Sequence, residues 1–503
     1  MPDAFAWTES YWLVRLVFQR ALAVVYVVAF LVAARQFRAL AGEEGLLPLD
    51  EYVDRTAFRE RPSLFHLFPD DRVVGAAAWT GVALAVCALL GVPYWLPDPY
   101  AVPASMLLWG AMWALYLSFV NAGRVFYGYG WESMLLETGF LAVFLGAGPS
   151  GPPVVVMWLL KWVLFRNMFG AGLIKIRGDN CWRELTCLDY HYETQPMPNP
   201  GSWYVHHLPE RFHRLEALGN HVVELAVPFL FFAPQPYAAI GGVATIAFQL
   251  WLMVSGNFSW LNALSAVQAI ATFSDGVLTG AASLLPGVSL AAPTVAPAPL
   301  PLRIAAWLVA LVVLALSVKP VKNLLSESQA MNTSFDPLSL VNTYGAFGSV
   351  TRERYQLVVE GTNAADPAEG DWTAYEFAGQ PVRTDERPPQ WAPYHLRLDW
   401  QLWFAAMRPR PGPRQRWVAP FLAGLLNGDE ATLSLVGENP FDGDPPERVR
   451  VLRYRYRFTT PEERAETGEW WRRERLGTYV APVSGEAFER EERRAIRGSR
   501  AVQ

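Results

Sequence analysis

Five of the seven histidines and two of the three cysteines lie between residues 170 and 224. The stretch holds His191, His206, His207, His213 and His221, with Cys181 and Cys187, beside Glu193 and Glu224. Such side chains can ligate a metal, move a proton or exchange disulfides. His191 with Glu193, or His221 with Glu224, has ligand chemistry, but the spacings match no metal motif. The plainer reading is hydrogen-bonded side chains at an interface, with no metal. Cys181 and Cys187 form a C-x5-C pair. In an oxidising compartment that spacing can close a small disulfide loop, the alternatives being a redox pair or two separate thiols. It is not the C-x-x-C of thioredoxin-like exchange.

Lys175 follows the small-residue run Gly170-Ala171-Gly172, which lets helices approach closely. A lysine desolvated there can act as a base; a lysine facing headgroups at a membrane boundary is the plainer alternative. Arg15, Arg20, Lys161 and Arg166 stand in apolar stretches, against Glu137, Glu224 and Glu132. A lone charge in lipid is costly, so these groups pair inward, line a wet cavity or snorkel to the interface. Lys161 sits mid-stretch and is the least able to snorkel. No G-x-S-x-G nucleophile elbow and no G-x-x-x-x-G-K phosphate loop is present.

The elements that position these residues are set by composition. Of 503 residues, 52% are hydrophobic and 18% charged, with a mean hydropathy of +0.14. Soluble domains carry about 25% charge. The last 169 residues hold 48 of the 89 charges, so the first 334 are markedly charge-poor. A disordered chain, a collagen and a disulfide-dense scaffold are thereby excluded. A span needs about 20 mainly apolar residues. Candidate spans cover 12–34, 73–91, 101–120, 133–148, 152–173, 218–232, 236–254, 258–273 and 304–318. The expectation is a polytopic α-helical membrane domain of eight or nine spans over 1–330, with a structured polar loop at 174–217. Residues 276–301 read as an irregular, uncharged connector. A net charge of −5 gives no basic field for nucleic acid. Arg-rich usage with only four lysines suggests a GC-rich, bacterial source.

From 335 to 503 the pattern reads as strands. Leu452, Tyr454, Tyr456 and Phe458 alternate with Arg453, Arg455 and Arg457. Leu396, Leu398, Trp400 and Leu402 alternate likewise, and 356–360 and 432–436 are shorter candidates. Turns such as Asp442-Gly443-Asp444-Pro445 separate them. A mainly-β, sandwich-like domain is the expectation.

The chain resembles the lipase maturation factor family. The residues that carry the resemblance are Gly170 to Lys175 (GAGLIK), Cys181-Trp182-Arg183, Leu188 to Pro196 (LDYHYETQP), Pro198-Asn199-Pro200, His206-His207 and Asn220-His221. Asn342 to Gly348 (NTYGAFG), Pro393 to Trp400 (PYHLRLDW) and Trp403 to Ala406 (WFAA) extend it. The resemblance implies a multi-pass protein, in animals of the endoplasmic reticulum membrane, that assists folding and assembly of secreted lipases such as lipoprotein lipase. In a bacterial source the membrane is the cytoplasmic membrane, and the client changes with it. It implies no cofactor, contact with membrane lipid and a lipase-like client. It also places the C-terminal domain on the lumenal or extracytoplasmic side, although the basic residues sit on that same side of the spans. Tyr344, Tyr394, Trp400 and Trp403 are the client-contact candidates, core packing being the plainer role for aromatics at such spacing.

Ala171-Gly172-x-x-Lys175 followed by Trp182 is also similar to the transmembrane module of vitamin K-dependent carboxylases. That likeness implies an alternative, a membrane enzyme using Lys175 as base with His191 and Glu193. A transporter built on Lys161 and Glu137 is a third class.

Overall fold

The computed structural model describes residues 10–284, 295–364, 366, 368, 370–441 and 444–486. Among the described residues, seven helices are long and apolar enough to cross a membrane: Trp12–Ala41, Asp71–Leu90, Ala101–Ala122, Val154–Arg177, Glu210–Phe232, Tyr237–Ser255 and Leu300–Leu325. The chain is a multi-pass membrane protein. The two other stretches expected to span form shorter helices, Gly130–Ala142 and Leu261–Thr272. Both fall short of the ~20 residues a bilayer needs. Glu132 and Glu137 on the first are wholly buried in protein rather than facing lipid.

Asp275 anchors the first helix across the bundle, its carboxylate accepting from Trp12 N at 2.8 Å and Val14 N at 3.0 Å. Those donors have no partner within their own helix. The same helix packs against Asp71–Leu90 through Gly81. A Cβ there would lie 2.3 Å from the Phe30 ring. The Glu210–Phe232 helix changes character along its length. It is α-helical to His221, π-helical over Val222–Ala226 and 3-10 over Val227–Phe232. Pro228 lacks the N–H that would continue the α ladder. In the expected connector, Asp275–Ala282 is helical and residues 285–294 lie outside the described residues.

The C-terminal half carries a ribbon of β1 (Thr333–Ser334) and β2 (Asn342–Thr343). Its main sheet is formed by β3 (Arg354–Thr362), β4 (Thr373–Ala374), β5 (Arg448–Phe458) and β6 (Trp471–Ser484). That sheet is antiparallel throughout, ordered β4-β3-β5-β6, with Val358 opposite Leu452. The strands expected at 356–360 and 449–458 lie within β3 and β5. On β5 the alternation breaks at Val451 and Leu452, both buried, where the pairing with β6 shifts register. No second sheet faces this one among the described residues. Helices Arg397–Ala406 and Val418–Leu426 pack on it instead.

Two expected strands are helical. Leu396–Leu402 alternates in type, yet Arg397–Ala406 is a helix. It is wedged between the sheet and the membrane half, and Arg397 to Leu402 are all buried. Enclosure of these six consecutive positions leaves polar and apolar residues alike inside, so alternation there does not report a strand. The stretch 432–436 instead begins inside a helical turn, Glu430–Leu433, that Asp429 caps by accepting from Thr432 N at 2.7 Å, and continues as a turn. Of the expected turn at 442–445, residues 442 and 443 lie outside the described residues. One hydrophobic core runs from the membrane helices into the C-terminal half without a break.

Candidate functional site

Lys175, near the end of the Val154–Arg177 helix, is buried. Its Nζ donates to Glu224 Oε1 at 2.7 Å and to Asn220 Oδ1 at 3.0 Å. Asn220 Nδ2 donates in turn to Glu224 Oε2 at 2.9 Å. The π-helical turn swings Glu224 toward the lysine, and such turns recur at functional sites. Trp182 lies 4.9 Å from the ammonium and ties the group to the C-terminal half, its Nε1 donating to Phe347 O at 2.7 Å. In this arrangement Lys175 is a hydrogen-bond donor to one carboxylate and one amide oxygen.

These residues wall a chamber of about 60 Å³. Further round it stand His191, Glu216, Gln249 and Asn167. Glu216 Oε1 accepts from Tyr192 Oη and from Trp251 Nε1 at 2.5 Å, while its Oε2 has no partner. Gln249 Nε2 reaches only Met168 Sδ, at 3.4 Å, and its Oε1 has no partner. His191 stacks on Phe258 at 6.2 Å and meets Phe347 edge-on at 5.4 Å. Burial, and then the Lys175 charge, pushes the His191 imidazole down to about 3, so it is neutral.

The structure brings Lys175, Glu224 and His191 to one chamber but takes Glu193 elsewhere. Glu193 Oε2 accepts from Phe458 N at 2.9 Å, with His206 Nε2 at 3.8 Å, beneath the sheet. Burial pushes Glu193 up and lowers His206 to about 4. Cys181 and Cys187 are joined as a disulfide in the loop beside the chamber. The described residues contain no group of three or more metal-ligating side chains placed to hold an ion.

Two other buried charge clusters lie where the halves meet. Glu137 pairs with Arg166 and also accepts from Tyr344 Oη at 2.6 Å and Asn342 N at 3.1 Å. Lys161 lies over the Trp158 ring at 5.1 Å and the Tyr11 ring at 5.9 Å. Glu132 accepts from Arg397 Nη1 at 2.8 Å and from Tyr116 Oη, both wholly buried. The Arg397 guanidinium also lies 3.3 Å from the centre of the Tyr127 ring. Gln36 completes this seam, donating to His395 O at 2.8 Å and accepting from Arg397 N at 3.0 Å.

Of the aromatics singled out for client contact, Tyr344 and Trp400 are 1% and 3% exposed. They are core side chains. Tyr394 and Trp403 are half-buried. Trp403 Nε1 donates to Thr194 O at 3.1 Å, on the wall of a second, larger space of about 540 Å³. That cleft runs between the halves and is lined by Trp131, Phe347, Trp400, Trp403 and Phe404, with Arg414 among its lining residues.

Sequence reasoning missed Arg397, Glu216 and Gln249. Gln249 had a signal, an amide in an otherwise apolar span. Asn220 and Glu224 share a helix face at i and i+4. Arg397 had none, because its partner lies 265 positions away.

The profile of the lipase maturation factor transmembrane domain matches residues 13–280, and that of the lipase maturation factor C-terminal domain matches residues 340–481. Lipase maturation factor 1 of Bos taurus is 43% identical over 504 residues, spanning 94% of this chain and 90% of that protein. Lipase maturation factor 1 of Homo sapiens is 44% identical, spanning 95% and 89%. Lipase maturation factor 2 of Homo sapiens is 28% identical, spanning 93% and 82%. No solved structure matches. With both halves matched in order and more than nine-tenths of its length aligned, the chain belongs to the lipase maturation factor family.

Proposed function

We propose that the protein is a membrane-embedded maturation factor assisting the folding and assembly of secreted lipases. The observation that carries this reading is the likeness, across both halves, to proteins named lipase maturation factor 1. The C-terminal half would work on the extracytoplasmic side. A Cys181–Cys187 disulfide requires an oxidising compartment. Its loop is bound to the C-terminal half, with Asp179 N donating to Gly348 O at 2.9 Å. In an animal cell the membrane would be that of the endoplasmic reticulum, in a bacterium the cytoplasmic membrane.

The client surface we assign is the outer edge of β6. Among the described residues this edge has no strand partner, and Arg473 to Leu476 along it are exposed. An unpaired edge offers backbone donors and acceptors to an extended segment of an incompletely folded chain. Tyr394 and Trp403 remain as side-chain contacts. Glu132, Glu137 and the sheet's inner face hold the platform still.

Co-expression tests the reading. A secreted lipase is produced in a host lacking a maturation factor, with the intact chain or with Leu476→Pro, which blocks the exposed edge. The intact chain should raise the specific activity of the secreted lipase, and the variant should lose most of that gain while still inserting in the membrane. An unchanged lipase in the presence of folded, inserted wild-type chain would overturn the assignment.

A further inference from the structure

The chamber and the aromatic cleft share five lining residues: Asn167, His191, Leu261, Ala346 and Phe347. The two spaces therefore adjoin, with His191 and Phe347 in the common wall. The inner one is small, room for about four waters, and its polar groups stand among apolar side chains. The outer one is about nine times larger and walled by aromatic rings. That is the shape of a site for a molecule with a compact head and a hydrocarbon body.

The chamber specifies the head. It holds two carboxylates, Glu216 and Glu224, against one ammonium, Lys175, which already has two acceptors. The two of its fully buried side-chain atoms without a partner, Glu216 Oε2 and Gln249 Oε1, are both acceptors. Gln249 is only 4% exposed, and a buried acceptor without a donor is costly. What the site lacks is therefore a donor, preferably cationic, and the aromatic walls of the approach suit a cation as well. An anionic head would meet two carboxylates. The cleft reaches the surface at Phe404, 39% exposed, which gives the chain a way in beside the membrane half.

We propose that this space binds an amphiphile with a primary ammonium head and a single hydrocarbon chain, the head donating to Glu216 and Gln249 and the chain lying along Trp403 and Phe404. This is a ligand site of the protein itself, and it stands whether or not lipases are the clients.

Three probes with one chain length separate the terms: dodecylamine, dodecyltrimethylammonium and lauric acid. The full chain in nanodiscs is titrated with each while its thermal unfolding midpoint is followed. Dodecylamine should raise the midpoint saturably. The trimethylated probe, a cation without donors, and the carboxylate should bind about tenfold or more weakly. Gln249→Leu should weaken dodecylamine by a similar factor. Phe404→Trp, which narrows the cleft without touching the chamber, should weaken all three probes alike. A dodecylamine carrying a diazirine near its chain end should label residues 400–407, less so in Phe404→Trp. Equal effects of the three heads, or no saturable effect, would overturn the proposal. So would labelling unchanged by both variants, which would mean an adventitious additive only. Labelling of β6 in place of the cleft would overturn it too.

Discussion

Two buried charge clusters, built from similar residues, sit in opposite surroundings. At the seam, Glu132 and Arg397 join the membrane half to the C-terminal half, and both are 0% exposed. Tyr116, Tyr127 and Gln36 fill the space around them. At the chamber, Lys175 and Glu224 are almost as buried, at 6% and 5%, but they face open volume. Buried charge is thus not a mark of function by itself. Where packing is complete it fixes two elements in place; where room remains, it prepares a site.

The sharpest way to break the comparison is at the seam. Arg397→Met strands Glu132 in a packed interior and should cost about 3–5 kcal/mol. Fluorescence-detected size exclusion should show most of the protein lost from the monodisperse peak. Adding Glu132→Gln should restore part of it, since the uncompensated charge is then gone. Full stability in the single variant would show that the seam is not holding the halves together.

The disulfide comes next. Replacing Cys181 and Cys187 by Ser should lower stability by about 2 kcal/mol, measured as a fall in the unfolding midpoint of non-reduced protein. Lys175→Met should cost less than the seam variant, about 1–2 kcal/mol, because Asn220 still donates to Glu224 and the chamber admits water. A loss as large as that of Arg397→Met would erase the distinction between the two clusters.

Much of this architecture was legible in the chain. The low charge of the first 334 residues announced a membrane domain, β5 announced itself by alternation, and β3 holds the shorter candidate at 356–360. The 396–402 strand failed because a helix enclosed over those positions carries the same alternation by chance of type. Lys175, His191 and Glu224 stood out by chemistry and do meet. Glu193 stood out equally and does not, because Thr194 ends the Leu188–Thr194 helix and Phe458 N claims the Glu193 carboxylate. Pairings such as Glu132 with Arg397 join distant segments, and a single sequence gives no signal for them.

A smaller effect is expected from pH. Burial pushes the Asp399 carboxyl up to about 7, against the pull of the Gly379 and Gln380 N–H groups that donate to it. Unfolded, a carboxyl of this type titrates near about 3.9. Because the folded chain binds this proton more tightly, Asp399 favours folding fully below about pH 4, and that contribution is lost as pH rises through about 7. Unfolding midpoints at pH 5 and pH 8 should differ in that direction, and Asp399→Asn should narrow the gap. The smallest effect should be Phe404→Ala, an exposed ring at the cleft mouth, within about 0.5 kcal/mol of wild type.

Arg397→Met and Lys175→Met, unfolded side by side in one nanodisc preparation with and without dodecylamine, put the distinction between seam and chamber to the test. The seam variant should show a large drop in midpoint with whatever folded fraction remains still responding to the amine. The chamber variant should show a small drop and an altered amine response. Equal drops, or an amine response that follows Arg397 and ignores Lys175, would contradict it.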